Sequence, residues 1–177
     1  MTEPQDNSRV VKTMPDLLAH ALAMESEACE RYGQLADQME TCNNAVVARL
    51  FRRLEGIERA HVLEIEDLCK NFSLPRLAPW EFAWQDNESP ETIDIGSVSY
   101  QMSTRDAVSL AIDHERRAAD FYLGIADSAD DAAVQRLARQ FADEEFEHVQ
   151  WLQNWLAEQG SDAGRGVDDP DPPNSLE

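Results

Sequence analysis

Residues 136–148 read RLARQFADEEFEH and residues 49–61 read RLFRRLEGIERAH; laid over one another, they place Glu145 on Glu58 and His148 on His61. Both stretches are amphipathic at helical spacing. Val134, Ala138, Phe141, Glu145, His148, Leu152 and Trp155 step by fours and threes, as do Val47, Phe51, Leu54, Glu58, His61, Ile65 and Leu68. That spacing turns one face of each helix toward a core, and on that face each copy carries an acid and an imidazole three residues apart. A core position is the most expensive place for either group, so the pair needs a chemical reason.

Working outward, the preceding helices repeat as well. AMESEACERY (23–32) matches IDHERRAADFY (112–122), with Glu25 falling on Glu115 and Tyr32 on Tyr122. The first helix is expected over about 15–40, with Pro15 and Asp16 in its first turn. The second is expected over about 44–70, after Asn43 and Asn44, which suit a break and a cap. Ser103 and Asp106 form a capping box that opens the third helix, and Asp130 and Asp131 open the fourth, which Gly160 should end. Residues 71–102, with Pro75, Pro79, Pro90 and Gly96, lack helical period and read as a long crossover. In it Trp80, Phe82 and Trp84 alternate as a strand or extended segment does and could cover a helix groove or a dimer partner, burial against the chain's own helices being the simpler reading. Helices of about 25 residues are each roughly 37 Å long. The expected architecture is all-α: an antiparallel four-helix bundle over 15–159, made of two helical-hairpin repeats. A flexible N-terminus (1–14) and a disordered acidic tail rich in Pro and Gly (160–177) are expected to flank it.

At 177 residues the chain is about one domain long. It carries 15 Lys plus Arg against 35 Asp plus Glu, a net charge of −20, which argues against nucleic acid and against an anionic membrane surface as partners. Cys29, Cys42 and Cys69 are widely spaced, with no CxxC, so they form neither a disulfide framework nor a cysteine metal site. No signal-peptide pattern and no membrane-spanning apolar run is legible, and a soluble cytoplasmic protein is expected.

Each half thus supplies one isolated seam glutamate and one Glu-x-x-His. Glu25, Glu58, His61, Glu115, Glu145 and His148 all lie near mid-helix and should converge on one buried place. Four carboxylates buried without partners would cost several kcal/mol apiece, and the seams offer no Lys or Arg. Two divalent metal ions would balance four carboxylates, with both histidines binding as neutral imidazoles. A single Glu-x-x-His is usually surface decoration; two copies in register with a second seam Glu are a ligand set.

These residues resemble the rubrerythrin branch of the ferritin-like superfamily, over about residues 15–159. The resemblance implies a ferritin-like bundle with a dinuclear iron centre held by the six residues just named, Glu58 and Glu145 bridging and Glu25 and Glu115 terminal. It also implies a homodimer. Rubrerythrins usually add a rubredoxin domain with two CxxC pairs, which this chain lacks, so electrons come from an external donor such as a separate rubredoxin. The extra acid those proteins carry one turn beyond the third-helix ligand is Ala118 here, matched by Ala28, so the centre reads as symmetric. Bacterioferritins hold haem through a Met directly after the second-helix Glu, and here that position is Arg59.

A carboxylate-rich donor set with one imidazole per metal suits iron, with manganese or zinc as alternatives. The expected activity is reduction of hydrogen peroxide or dioxygen. Ferroxidase-type iron handling is the alternative, and a non-catalytic metal-stapled bundle is a third reading. Tyr32 and Tyr122, two turns beyond Glu25 and Glu115, are the candidates for catalytic support: either one or both hydrogen-bond a ligand carboxylate of a neighbouring helix, or they only fill the core.

Overall fold

The computed structural model describes residues 11–84, 89–90, 92, 98–99 and 101–162. They form four α-helices and one short turn of 3₁₀ helix: α1 (Met14–Thr41), α2 (Ala45–Cys69), the 3₁₀ turn (Pro79–Glu81), α3 (Thr104–Ser128) and α4 (Ala132–Asp162). The all-α bundle of two hairpins, α1 with α2 and α3 with α4, is the architecture the repeat requires.

Local chemistry sets the helix ends. The Thr13 hydroxyl accepts from the Asp16 backbone N–H at 3.3 Å to cap α1, and Pro15 occupies its first turn, where no N–H is needed. Asn43 adopts φ 56°, a left-handed conformation that Asn tolerates, and this reverses the chain between α1 and α2. Asn44 precedes α2 without a side-chain cap bond; its Nδ2 instead donates to the Met102 carbonyl at 2.9 Å and ties the end of the crossover to the first hairpin. Ser103 and Asp106 make the reciprocal capping box at α3, and Asp131 Oδ1 accepts from the Ala133 N–H at 2.7 Å to open α4.

The apolar faces collect into two clusters. One contains Leu35, Met39, Phe51, Leu54, Val108 and Leu152; the other contains Leu17, Leu18, Met24, Ile65, Ile125, Val134 and Phe141. Burying each such side chain contributes about 1.5–3 kcal/mol. Along α1 and α4 the chain passes from the second cluster to the first, and along α2 and α3 from the first to the second. Hence α1 is antiparallel to α2 and α3, and α4 is antiparallel to α3 and α2. Since α2 ends at one end of the bundle and α3 begins at the other, the connection must run the bundle's length. Leu74, Ala83 and Trp84 lie against the second cluster, and Val98 and Met102 against the first, as such a crossover demands.

Three sequence expectations change. Val11, placed in the flexible N-terminus, is 3% exposed and packs in the second cluster, because an apolar side chain beside Leu17 and Leu18 gains more from burial than from freedom. Gly160 does not end α4, which continues to Asp162; a helix interior tolerates glycine at about 1 kcal/mol. Trp80, Phe82 and Trp84 do not share one extended run, because Trp80 lies inside the 3₁₀ turn while Phe82 is extended. A 3₁₀ turn leaves Trp80 exposed, while Phe82 and Trp84 stack at 5.0 Å, with His20 of α1 edge-on to both rings. Residues 1–10 and 163–177, which hold most of the expected N-terminal segment and tail, lie outside the described residues.

Candidate metal centre

Between the two apolar clusters lies a polar layer made by Glu25 of α1, Glu58 and His61 of α2, Glu115 of α3, and Glu145 and His148 of α4. Their position follows from the helical register: each interrupts an apolar seam at mid-helix, so packing the seams forces them together. All four carboxylates are at most 2% exposed, and the two imidazoles are largely covered.

His61 Nδ1 lies 3.5 Å from Glu25 Oε2 and 3.8 Å from Glu58 Oε2, and His148 Nδ1 lies 3.2 Å from both Glu115 Oε2 and Glu145 Oε2. The two imidazole rings stack at 4.8 Å between centroids. Donor atoms of Glu25, Glu58 and His61 all lie within 4.8 Å of one another, as do those of Glu58, Glu115 and His148, and those of Glu145 and both histidines. The glutamates of the two Glu-x-x-His motifs are therefore the ones within reach of both imidazoles.

The polar layer is electrostatically incomplete. Glu25 Oε2 and both carboxylate oxygens of Glu58 are buried with no hydrogen-bond partner. Among the described residues no Lys or Arg is buried to balance them. Burial, followed by the neighbouring charges of Glu115, Glu25 and Glu145, pushes Glu58 well above the usual carboxylate range. Burial, then Glu25 and Glu115, does the same to Glu145. For Glu25 burial acts upward too, but the close approach of His61 and Glu58 and the hydrogen bond from Tyr122 outweigh it and hold this group low. His148 is raised, since its contacts with Glu115 and the charges around it overcome a burial effect of opposite sign. Such a cluster retains protons when nothing else neutralises it, and its chemistry suits divalent cations in their place. Orphaned oxygens, clustered carboxylates and two inward imidazoles together fit a dinuclear metal site.

Both tyrosines meet that layer. Tyr122 of α3 donates from its hydroxyl to Glu25 Oε1 at 2.8 Å, and Tyr32 of α1 donates to Glu115 Oε1 at 3.1 Å. Each half's tyrosine thus fixes the isolated glutamate of the other half. A narrow cleft adjoins the cluster, with Ile65 and Phe141 in its walls and Glu64 and Glu144 beside Glu25, His61 and Glu145.

Sequence reasoning passed over two buried histidines. His20 packs among Phe82, Trp84 and Phe121; its Nδ1 is 2.7 Å from the Asp16 carbonyl, and its Nε2 accepts from the Ala83 N–H at 3.0 Å, so it pins the crossover to α1. His114, beside Glu115, is 3% exposed, and burial, aided by Arg117, pushes it down to about 3, keeping it neutral. Nothing in the sequence marks either one, since a lone histidine at a helical position carries no spacing signal.

The fold is that of a ferritin-like bundle, and its buried Glu and His groups are consistent with a dinuclear metal site. The rubrerythrin family model matches residues 16–92. Among solved structures, an uncharacterized conserved protein from Magnetospirillum magnetotacticum MS-1 is 33% identical, with a TM-score of 0.66, over 93% of this chain and 99% of that one. No curated protein matches the chain. The chain belongs to the rubrerythrin family.

Proposed function

We propose that this protein is a di-iron oxidoreductase that reduces hydrogen peroxide or dioxygen at the buried carboxylate cluster and is re-reduced by an external electron donor. The observation that carries this reading is the set of partnerless oxygens on Glu25 and Glu58 inside a ring of four glutamates and two histidines. Glu58 and Glu145 would bridge two ions, with Glu25 and His61 completing one position and Glu115 and His148 the other. Iron is favoured by the oxygen-rich donor set; thiolates are absent from it.

A bound ferrous pair supplies two electrons together, which with two protons take hydrogen peroxide to two waters. The chain's own groups do the remainder. Tyr32 and Tyr122 hold Glu115 and Glu25 by one oxygen each, and the other oxygen of each carboxylate faces His148 or His61, where it would ligate. They are positioning residues. Glu58 and Glu145, which favour their protonated forms when no cation balances them, give up protons when ions enter and so couple metal loading to pH. Ile65 and Phe141 line the approach with apolar side chains, which leaves no room for a bulky substrate.

Elemental analysis after anaerobic reconstitution, followed by stopped-flow mixing of the ferrous protein with peroxide and with dioxygen, tests the proposal. Two irons per chain and rapid oxidation by either oxidant are expected. Two irons with no oxidation would leave a metal-stapled bundle. Glu64 and Glu144 beside the centre favour one alternative, a ferroxidase that draws Fe²⁺ inward. That protein would turn over many Fe²⁺ per chain, whereas the oxidoreductase cycles two. The proposed assembly is a homodimer, which sedimentation of the loaded protein tests.

A further inference from the structure

The protein carries 15 basic residues against 35 acidic ones, yet three arginines gather in one and a half turns of α2. Arg49, Arg52 and Arg53 line a basin of about 470 Å³ together with Trp155 of α4. Arg52 is already neutralised: it pairs with Asp37 at 2.6 Å, Glu55 at 2.8 Å and Glu40 at 3.0 Å. Arg49 and Arg53 differ. Both are exposed, they stand one turn apart on the same face, and neither has an acidic partner among the described residues. The Arg53 guanidinium carbon lies 4.5 Å above the ring of Trp151.

Trp151 links this surface to the centre. Its indole is half-buried and packs against the first apolar cluster, and it follows His148 by three residues on α4. A rise of about 4.5 Å along the helix therefore separates the backbone of Trp151 from that of His148 in the metal cluster. The tryptophan is neither needed to close the polar layer nor explained by it.

We propose that the Arg49–Arg53–Trp155 basin is the docking site of a small acidic one-electron carrier protein, and that Trp151 conducts the electron from that carrier toward His148. The proposal rests on the oxidoreductase reading above. An acidic partner is repelled by most of this exterior and attracted here, so charge both speeds encounter and selects the orientation. Exposed arginine beside tryptophan is also the composition that supplies binding energy at protein interfaces. The bookkeeping is simple: two reduced carriers each lose one electron at this site in successive encounters, and the two electrons with two protons convert one peroxide to two waters.

The test begins with binding rather than turnover. The metal-free full-length chain is titrated by calorimetry with an oxidised rubredoxin of net negative charge, at low and at physiological salt. Reversing both charges, Arg49→Glu with Arg53→Glu, should weaken binding at least about tenfold and flatten its salt dependence. A control pair, Lys12→Glu with Lys70→Glu, makes the same change in net charge on exposed side chains elsewhere and should leave most of the affinity. Equal losses in the two pairs would overturn the site, as would unchanged carrier affinity in an arginine variant that had lost its self-association. Trp151→Phe should keep the affinity and slow carrier-driven reduction of the iron-loaded protein by about tenfold relative to reduction by dithionite. An unchanged ratio would overturn the conduit. Failure of peroxide to oxidise the ferrous protein would instead sink the oxidoreductase reading, while the binding result would stand.

Discussion

Replacing Glu58 with glutamine should make the metal-free protein more stable and the metal-loaded protein less so. Glu58 is fully buried, both its oxygens lack partners, and burial together with three neighbouring glutamates raises it well above the ordinary carboxylate range. A carboxyl raised in the folded state contributes its full stability below the unfolded value, and that contribution is lost as pH rises through the folded value. Glutamine does not titrate, and its amide can donate to the surrounding carboxylates. Relief of one buried unsatisfied acceptor is worth on the order of 1–3 kcal/mol. At about 2–4 °C per kcal/mol for a domain of this size, Tm in chelator near about pH 8 should rise by roughly 2–12 °C, and the difference should fade toward about pH 4. With Fe²⁺, Mn²⁺ or Zn²⁺ added, the wild type should gain stability by mass action and the variant much less. Scanning calorimetry at both pH values, with and without metal, reads all four states. The reasoning is refuted if E58Q is destabilised by the same amount at both pH values in chelator, or if metal raises its Tm as far as it raises that of the wild type.

Tyr122→Phe should retain two metals while losing about 1–2 kcal/mol of stability from the broken bond to Glu25, with slower reoxidation of the ferrous protein; unchanged stopped-flow kinetics would remove this hydroxyl from the mechanism. Metal loading should release protons, because Glu58, Glu145 and His148 are all raised and must shed protons to ligate, so affinity falls as pH drops toward the carboxylate range. Calorimetric titration in two buffers of different ionisation enthalpy measures that release, and identical heats would contradict it. His20→Leu should leave the Ala83 N–H without its acceptor, cost about 1–3 kcal/mol and expose the 79–84 turn to proteases, with metal content unchanged; limited proteolysis checks it. Leu54→Ala, in the first apolar cluster, should cost about 2–5 kcal/mol by urea denaturation without altering metal stoichiometry.

The polar layer was legible because it breaks two rules at once: Glu58 and Glu145 occupy seam positions of strongly amphipathic helices, and each recurs with a histidine three residues on. Periodicity fixes which face is buried, so it also fixes where Glu25, His61, Glu115 and His148 must meet. The same register put both tyrosines on the core seam but left open whether each hydroxyl meets an acid of a neighbouring helix or the ring only fills space. What escaped has a common cause. His20 and Ala83 meet across 63 residues through a backbone N–H, and Arg53 meets Trp151 across the bundle; neither contact has a spacing within one element. The end of α4 was misplaced because glycine stops a helix only when it turns left-handed, and here it does not. Val11 was given to the flexible segment because a single apolar residue has no period to declare its face.

The crossed bonds, Tyr32 to Glu115 and Tyr122 to Glu25, carry a consequence for how the molecule can be divided and how it can change. Neither hairpin owns a finished half of the centre, for each lends a hydroxyl and borrows one. Two separated fragments, cut in the crossover, would each present an unsupported acid, and only their reunion would restore both supports. Substitutions in the two repeats are accordingly yoked: a change in one is felt first in the other.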